Sequence, residues 1–119
     1  MRWHITGDET LSEKTQKGLV ALGDDVSARW LKFDYEGEDE EALATMDDIA
    51  KSQGLVYCIG DEWSSGNSDT ALGMAISFNK RTVVVGNRQT IYHHLPTIEH
   101  YPTLAAFIKA RKEENNAAD

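Results

Sequence analysis

The residue types and spacing that could do chemistry are concentrated in one polar turn of this sequence. The turn follows a continuous apolar run at 55–59 and reads Asp61-Glu62-Trp63-Ser64-Ser65-Gly66-Asn67. Small hydroxyl residues and a glycine let the backbone approach an anion, and the free N–H groups of a following helix can then bind a phosphate or contact a ribose. Ser64, Ser65, Gly66 and Asn67 are therefore candidate substrate-binding residues. The alternative is a plain loop in which a serine or asparagine caps the helix, and the local pattern does not decide between the two.

Four further residues could complete a site with this turn. Asp61 could accept a hydrogen bond from a ligand or transfer a proton, although it could equally cap a turn. Trp63 could stack on a base at the mouth of a site, whereas a core position is the alternative for a tryptophan. Thr6 and Gly7 end the first apolar run and would form the opposite wall, because glycine allows close backbone approach.

The histidines and the single cysteine do not form a convincing metal site. His93 and His94 are adjacent, so their side chains diverge in an extended loop, whereas a zinc site usually takes three or four convergent ligands. Cys58 lies within the apolar run, where a small core residue is a better interpretation than a nucleophile. We therefore expect neither a metal nor another cofactor.

Strands and helices that alternate along the chain must position these residues. Apolar runs predict strands at 3–6, 26–33, 55–59, 82–86 and near 98–100. Helical spacing predicts helices at 9–22, from the acidic run 34–41 to about Ser52, at 68–78 and at 102–112. The second of these helices is expected to bury Leu43, Met46, Ile49 and Ala50.

This alternation predicts an α/β protein with a flavodoxin-like fold. We expect a three-layer sandwich whose five-stranded parallel sheet has the order 2-1-3-4-5. Ligands of such sheets bind beyond the carboxyl ends of the strands, where the strand order reverses. That rule predicts a single crevice bordered by residues 7–8, 61–67 and 86–89.

Composition and charge narrow the class of protein. The chain has 119 residues, 40% of them hydrophobic, which predicts one domain at 1–112 followed by a polar tail at 113–119. Its net charge of −8 disfavours binding to a nucleic-acid polymer, but backbone N–H groups alone can hold the phosphate of a single nucleotide. No signal peptide and no membrane-length apolar run are visible, so we expect a cytoplasmic protein without a membrane partner.

Several segments, in the same order along the chain, resemble the nucleoside 2-deoxyribosyltransferase-like superfamily in its short bacterial and phage form. Ile5-Thr6-Gly7 resembles the family's opening strand and glycine, and residues 26–31 with the acidic run after them resemble its second strand. The most specific segment, Ser65-Gly66-Asn67-Ser68-Asp69-Thr70-Ala71-Leu72-Gly73-Met74-Ala75, is similar to the family's phosphate or ribose loop and nucleophile helix. Residues 80–86 and 92–96 extend the match.

The resemblance implies cleavage or transfer at the N-glycosidic bond of a 2-deoxynucleoside or its 5′-monophosphate. In the family a glutamate carboxylate attacks the anomeric carbon, and a second base or water resolves the covalent intermediate. Asp61 would then be a leaving-base contact or proton donor. The glutamate position, two residues before Gly73, is Ala71 here, and a methyl group cannot attack carbon. Asp69 lies about 200° around the helix from that position, so it does not simply replace the glutamate.

Ala71 has two explanations, and both predict a chain that is inactive as given. Either the lineage lost the chemistry and kept a nucleotide pocket, or the alanine was introduced to keep a substrate intact, which the well-matched surroundings favour. The alternatives to an enzyme are a catalytically silent nucleotide sensor and a domain that serves only as an interaction partner. The resemblance also implies a homo-oligomer, a dimer or larger, in which a neighbouring subunit completes the site.

Overall fold

A computed structural model describes residues 1–33, 35–60 and 65–118 of the chain. The strands are β1 Arg2–Gly7, β2 Asp25–Val26, β3 Gly54–Cys58, β4 Arg81–Val85 and β5 Ile98–Tyr101. The helices are α1 Glu9–Ala21, α2 Glu38–Lys51, α3 Gly66–Ser77 and α4 Leu104–Ala118, with single 3-10 turns at Arg29–Leu31 and Ile91–His94. The strands form one parallel sheet in the order β2-β1-β3-β4-β5, which confirms the predicted fold class and strand order.

Side chains alternate between the two faces along each strand, so apolar residues lie on both faces of the sheet and helices cover both. On one face, Trp3 and Ile5 of β1 pack with Leu19 of α1 and Phe107 of α4. On the other face, Leu55 and Tyr57 of β3 pack with residues of α2 and α3, namely Ile49, Leu72 and Ala75. Every residue of β3 is buried, as its continuous apolar run predicts for a central parallel strand.

The prediction of a long second strand at 26–33 is wrong. β2 contains only Asp25–Val26, and the chain then turns through Arg29–Leu31. Side-chain hydrogen bonds hold this turn in place. The backbone N–H of Arg29 donates to the Asp48 carboxylate over 2.9 Å, and Nε1 of Trp30 donates to the carbonyl of Ile5 over 2.7 Å. A strand would carry both groups away from these acceptors.

The prediction for the buried side of α2 is only partly right. Ile49 is buried, but Leu43 is 67% exposed, Met46 is 48% exposed and Ala50 is also exposed. The buried residues of α2 are instead Asp48 and Ile49, and the Asp48 carboxylate accepts hydrogen bonds from the backbone N–H and Nε of Arg29. Of the three exposed residues, Met46 borders a groove between α2 and α3.

The final helix extends further than the sequence predicts. α4 ends at Ala118 rather than near Lys112, because residues of its last turns make contacts that hold them. Glu114 accepts hydrogen bonds from Arg81 at 2.9 Å and from Arg111 at 3.2 Å, and the side-chain amide of Asn115 donates to the carbonyl of Leu22 at 3.3 Å. The division into a domain at 1–112 and a tail stays a prediction.

A buried ion pair joins α4 to the loop before β2. Nε and Nη2 of Arg111 donate to the two carboxylate oxygens of Asp24 over 2.9 and 2.8 Å, and Nε1 of Trp3 donates to the same carboxylate over 3.0 Å. Burial opposes ionisation of this carboxyl group, but the hydrogen bonds from Arg111 and Trp3 outweigh it and lower the pKa of Asp24.

Candidate functional site

A crevice of about 190 Å³ lies between the carboxyl end of β1, α2 and the start of α3. Its lining contains four of the residues predicted for a site, namely Thr6, Gly7, Ser65 and Asn67. The lining also contains five residues that were not predicted, namely His4, Trp30, Glu41, Thr45 and Ser68. Throughout, "the crevice" means this cavity.

The wall at β1 is joined to α3 by a buried hydrogen bond. Oγ1 of Thr6 and Oγ of Ser68 lie 2.9 Å apart, and both residues are buried. Gly7 has a φ of +117°, and a Cβ there would lie 2.0 Å from the carbonyl oxygen of Cys58. The position therefore requires glycine, since any side chain would collide with the neighbouring strand.

The other wall is the first turn of α3. Ser65 is the N-cap residue, since its Oγ accepts a hydrogen bond from the backbone N–H of Ser68 over 3.1 Å. The capping interpretation of this serine is thus correct. Gly66 begins the helix, and Asn67 is exposed at the edge of the crevice. The remaining N–H groups of this first turn form the positive end of the helix dipole, which favours a ligand with negative charge.

Ala71 lies near the crevice but borders a second cavity. Its methyl group is 3% exposed and packs in the core with Leu72 and Ala75. The second cavity, about 480 Å³, lies between α2 and α3, and we call it the α2–α3 groove. Its lining comprises Glu38, Glu41, Ala42, Thr45, Met46, Asn67, Thr70, Ala71 and Met74. Three of these residues, Glu41, Thr45 and Asn67, also line the crevice, so the two cavities adjoin.

Asp69 is directed away from this region. One of its carboxylate oxygens lies 3.6 Å from Nε2 of His93, on the side of α3 that faces the segment before β5. As the helical spacing predicts, Asp69 does not bring a carboxylate to the position of Ala71.

Glu41 provides a carboxylate that the sequence analysis did not single out. It belongs to the acidic first turn of α2, where an acidic residue is explained by the helix dipole alone. The structure adds that Glu41 lines both the crevice and the α2–α3 groove. No sequence signal separates it from Glu38, Asp39 and Glu40, because only the packing of α2 beside α3 selects it.

His4 is the second residue that the sequence analysis did not single out. It is 1% exposed and lines the crevice, and its Nδ1 lies 2.8 Å from the carbonyl oxygen of Ser27. Nε2 is buried and has no hydrogen-bond partner among the described residues. The available signal was its position two residues before Thr6, because residues at this spacing on a strand share a face.

The remaining candidates do not provide a nucleophile or a metal site. Burial raises the pKa of the Cys58 thiol to about 11, and Oγ1 of Thr15 lies 3.3 Å from its Sγ. His93 is buried while His94 is exposed, which confirms that the two side chains diverge. Within residues 1–33, 35–60 and 65–118, no three His, Cys, Asp or Glu side chains converge as a metal site would require.

The prediction of a single crevice around three loops stays a prediction. Gly86 and Asn87 border another cavity, of about 480 Å³, together with Asp8 and Gly60. Four residues of the middle loop, 61–64, lie outside the described residues, and the candidates Asp61, Trp63 and Ser64 are among them.

We predict that the folded chain loses stability as the pH falls below about 6.5. Burial lowers the pKa of His4, against the opposing effects of Ser27 and Asp48, and burial likewise lowers the pKa of His93 against Asp69. Both imidazoles bind protons more weakly in the folded state than in the unfolded chain, so the unfolded chain takes up more protons below that pH. The contribution that these two neutral imidazoles make to the free energy of unfolding is therefore complete above the pKa of the unfolded chain. It is lost as the pH falls towards their lower pKa values in the folded state.

Urea unfolding at a series of pH values between about 7.5 and 5.5 measures this slope. The slope should be shallower in His93→Asn than in the unmodified chain, because the variant lacks one imidazole that takes up a proton on unfolding. The slope measures the number of protons taken up on unfolding and not the total stability, so a general weakening of the fold would not produce the same result. Equal slopes in the two proteins would contradict the prediction.

Comparison with known proteins gives a match at the level of structure. No protein-family model and no curated protein sequence matches the chain. The chain is similar to the structure of the Clostridium botulinum CMP N-glycosidase, BcmB, with a TM-score of 0.73 and 12% sequence identity over 95% of this chain and 99% of that one. The chain has the fold of this glycosidase. At this identity the similarity to BcmB concerns the fold, with its five-stranded sheet and flanking helices.

No helix in the part of the chain that the structure describes is long and apolar enough to cross a membrane.

Proposed function

We propose that the chain binds a nucleoside or a nucleoside 5′-monophosphate in the crevice and the adjoining α2–α3 groove. The proposed activity of this site is cleavage or transfer at the N-glycosidic bond, and the chain as given holds the ligand intact because Ala71 takes the place of a nucleophilic carboxylate. The fold shared with a CMP N-glycosidase supports the proposal.

The observation that carries the proposal is the junction of the two cavities. The crevice, at about 190 Å³, is smaller than the roughly 300–1,000 Å³ of most small-molecule sites, whereas the crevice and the groove together fall within that range. A two-part ligand would therefore extend across Glu41, Thr45 and Asn67, the residues common to both linings. The bond that joins its parts would then lie near these residues, and Ala71 borders the same groove.

The polar groups around this junction suit such a ligand. Ser65 and Asn67, at the first turn of α3, offer a hydroxyl and an amide beside free N–H groups, which can hold a phosphate or a sugar hydroxyl. Nε1 of Trp30 is already bonded to the carbonyl of Ile5, so this indole contributes its apolar surface to the crevice. An apolar ring surface is suited to contact with the face of a base.

The chemistry of glycosyl transfer explains why the ligand would stay intact. A retaining mechanism needs one carboxylate to attack the anomeric carbon and another group to protonate the leaving base. The Ala71 methyl can do neither. Whether the alanine arose by loss in the lineage or by replacement, the expected behaviour of this chain is the same: saturable binding without release of base.

A second candidate function follows from Glu41. Because its carboxylate lines both cavities, it could act directly on a ligand that spans them, as a general base for water. The chain would then be a nucleotide N-glycosidase with its carboxylate on α2 instead of α3.

Calorimetry with ribo- and deoxynucleoside 5′-monophosphates, combined with chromatography for free base, tests both candidates. We expect heat of binding and no free base. If free base appears, and Glu41→Gln abolishes it while Glu38→Gln does not, the second candidate replaces the first. Glu38 is a matched control because it lines the groove but not the crevice. A folded chain that binds none of these nucleotides would overturn both candidates and leave a domain that serves only as an interaction partner.

A further inference from the structure

We propose that His4 is a specificity-determining residue that accepts a hydrogen bond, through Nε2, from an N–H or O–H donor of the bound ligand. This inference rests on the proposed function, because it concerns a ligand held in the crevice. It specifies that the part of the ligand next to His4 carries a hydrogen-bond donor.

The orientation of the ring fixes the role of each nitrogen. Nδ1 lies 2.8 Å from the carbonyl oxygen of Ser27, and a carbonyl has no proton to give. The proton of the neutral ring is therefore on Nδ1, which donates to Ser27, and Nε2 carries a lone pair. Burial keeps the ring neutral, because it lowers the pKa of His4 despite the nearby charge of Asp48.

The free lone pair of Nε2 is the feature that needs an explanation. The residue is 1% exposed, Nε2 itself is buried, and it has no partner among the described residues. A buried acceptor without a partner costs stability, and such groups are rare in folded proteins unless a ligand or an ordered water completes them. Since His4 lines the crevice, a ligand in that space is the available source of a donor.

The other polar groups near His4 leave this role open. The hydroxyl groups of Thr6 and Ser68 are bonded to each other at 2.9 Å, and the indole N–H of Trp30 is taken by the carbonyl of Ile5. Glu41 adds a carboxylate, which also accepts hydrogen bonds. The pair of hydroxyls keeps one free proton, whereas Nε2 of His4 and the Glu41 carboxylate can only accept. A hydrogen-bond donor on the ligand is therefore the group that His4 and Glu41 can bind.

The chemistry that fits is a hydrogen-bond donor on the ligand, and CMP carries two donors that related nucleotides lack one at a time. The first is the exocyclic amino group of a base such as cytosine, which uracil lacks. The second is the 2′-hydroxyl of ribose, which a deoxynucleotide lacks. Comparison of CMP with UMP isolates the first source, and comparison of CMP with dCMP isolates the second.

Binding constants for these three nucleotides, measured on the intact chain and on two variants, test the inference. His4→Asn keeps an amide donor for Ser27 and removes the distant acceptor, while His94→Asn is a matched substitution at an exposed histidine. We expect CMP to bind the unmodified chain about tenfold more tightly than UMP, or about tenfold more tightly than dCMP, which corresponds to about 1.4 kcal/mol. The same ratio should fall close to one in His4→Asn and stay unchanged in His94→Asn.

A measurement on the unmodified chain covers the case in which His4→Asn does not fold. In nitrogen-15 NMR of histidine-labelled protein, the Nε2 resonance of His4 should move towards that of a hydrogen-bonded acceptor when CMP is added, while the resonances of His94 stay in place. If the chain binds nucleotides but neither ratio depends on His4 and its Nε2 resonance does not move, the role of His4 is overturned and the proposed function stands. If the folded chain binds no nucleotide, the proposed function is overturned, and this inference falls with it.

Discussion

Replacing Ala71 with glutamate should produce a chain that releases free base from the nucleotides that the unmodified chain is proposed to hold intact. The new carboxylate would enter the α2–α3 groove, where it could attack the anomeric carbon of a ligand that spans groove and crevice. Loss of an enzymatic nucleophile typically costs a factor of about 10⁴–10⁶, so restoring one in an imperfect position should raise base release by on the order of 10³-fold. Chromatography of free base from deoxynucleosides and their monophosphates measures the change.

The matched control for this substitution is Ala71→Gln. Both side chains must enter a position that is 3% exposed and packed beside Leu72 and Ala75, so both should lower the free energy of unfolding by roughly 1–3 kcal/mol. Only the glutamate can form a glycosyl ester. Burial will raise the pKa of the new carboxyl group, and base release should therefore increase as the pH rises. A folded Ala71→Glu chain that binds nucleotide but releases no base from any natural one would contradict the role assigned to position 71.

The largest effect on stability is expected from Asp24→Ala. The substitution would leave the buried Arg111 guanidinium with only the partly exposed Glu114 carboxylate, at 3.2 Å, and the indole N–H of Trp3 without its acceptor. Removal of one partner from a buried ion pair typically costs about 3–5 kcal/mol, because the remaining charge stays out of water. We expect a loss of that size in the free energy of unfolding, measured by urea denaturation.

Asp47→Ala provides the control for this prediction. Asp47 also pairs with an arginine, at 2.6 Å from Nη2 of Arg29, but its side chain is 45% exposed. Solvent screens such a pair, and the expected loss is much smaller than that of Asp24→Ala. Similar losses in the two variants would show that burial of the Asp24 pair has no special energetic consequence.

The sequence was sufficient to predict the sheet, and the reason is visible in β3 and β4. Their continuous apolar runs have only one stable place in a parallel sheet, between helices on both faces, and all five parallel strands follow in the predicted order. β2 was not predictable in the same way. Its loose alternation resembles a strand, but the chain turns because Trp30 and Arg29 have acceptors on β1 and α2, and those acceptors exist only after folding.

The residues that line the crevice likewise include some that the sequence predicts and some that it does not. Thr6, Gly7, Ser65 and Asn67 were found because strand ends and helix starts of a parallel sheet meet at one edge. His4 and Glu41 were not, since one lies within an apolar strand and the other within a run of acidic residues. The access of Glu41 to the crevice depends on how α2 lies against α3, and spacing along the chain carries no information about that distance. His4 could have been found, because its spacing from Thr6 puts both residues on one face of β1.

The complete burial of Cys58 has a practical consequence for all of these experiments. It is the one thiol in the chain, it lies in the middle sheet layer with no exposed surface, and a pKa of about 11 leaves little thiolate at neutral pH. A thiol-specific dye would consequently label only molecules whose layers have come apart. The labelling rate of Cys58 in each variant therefore measures how often the folded protein opens.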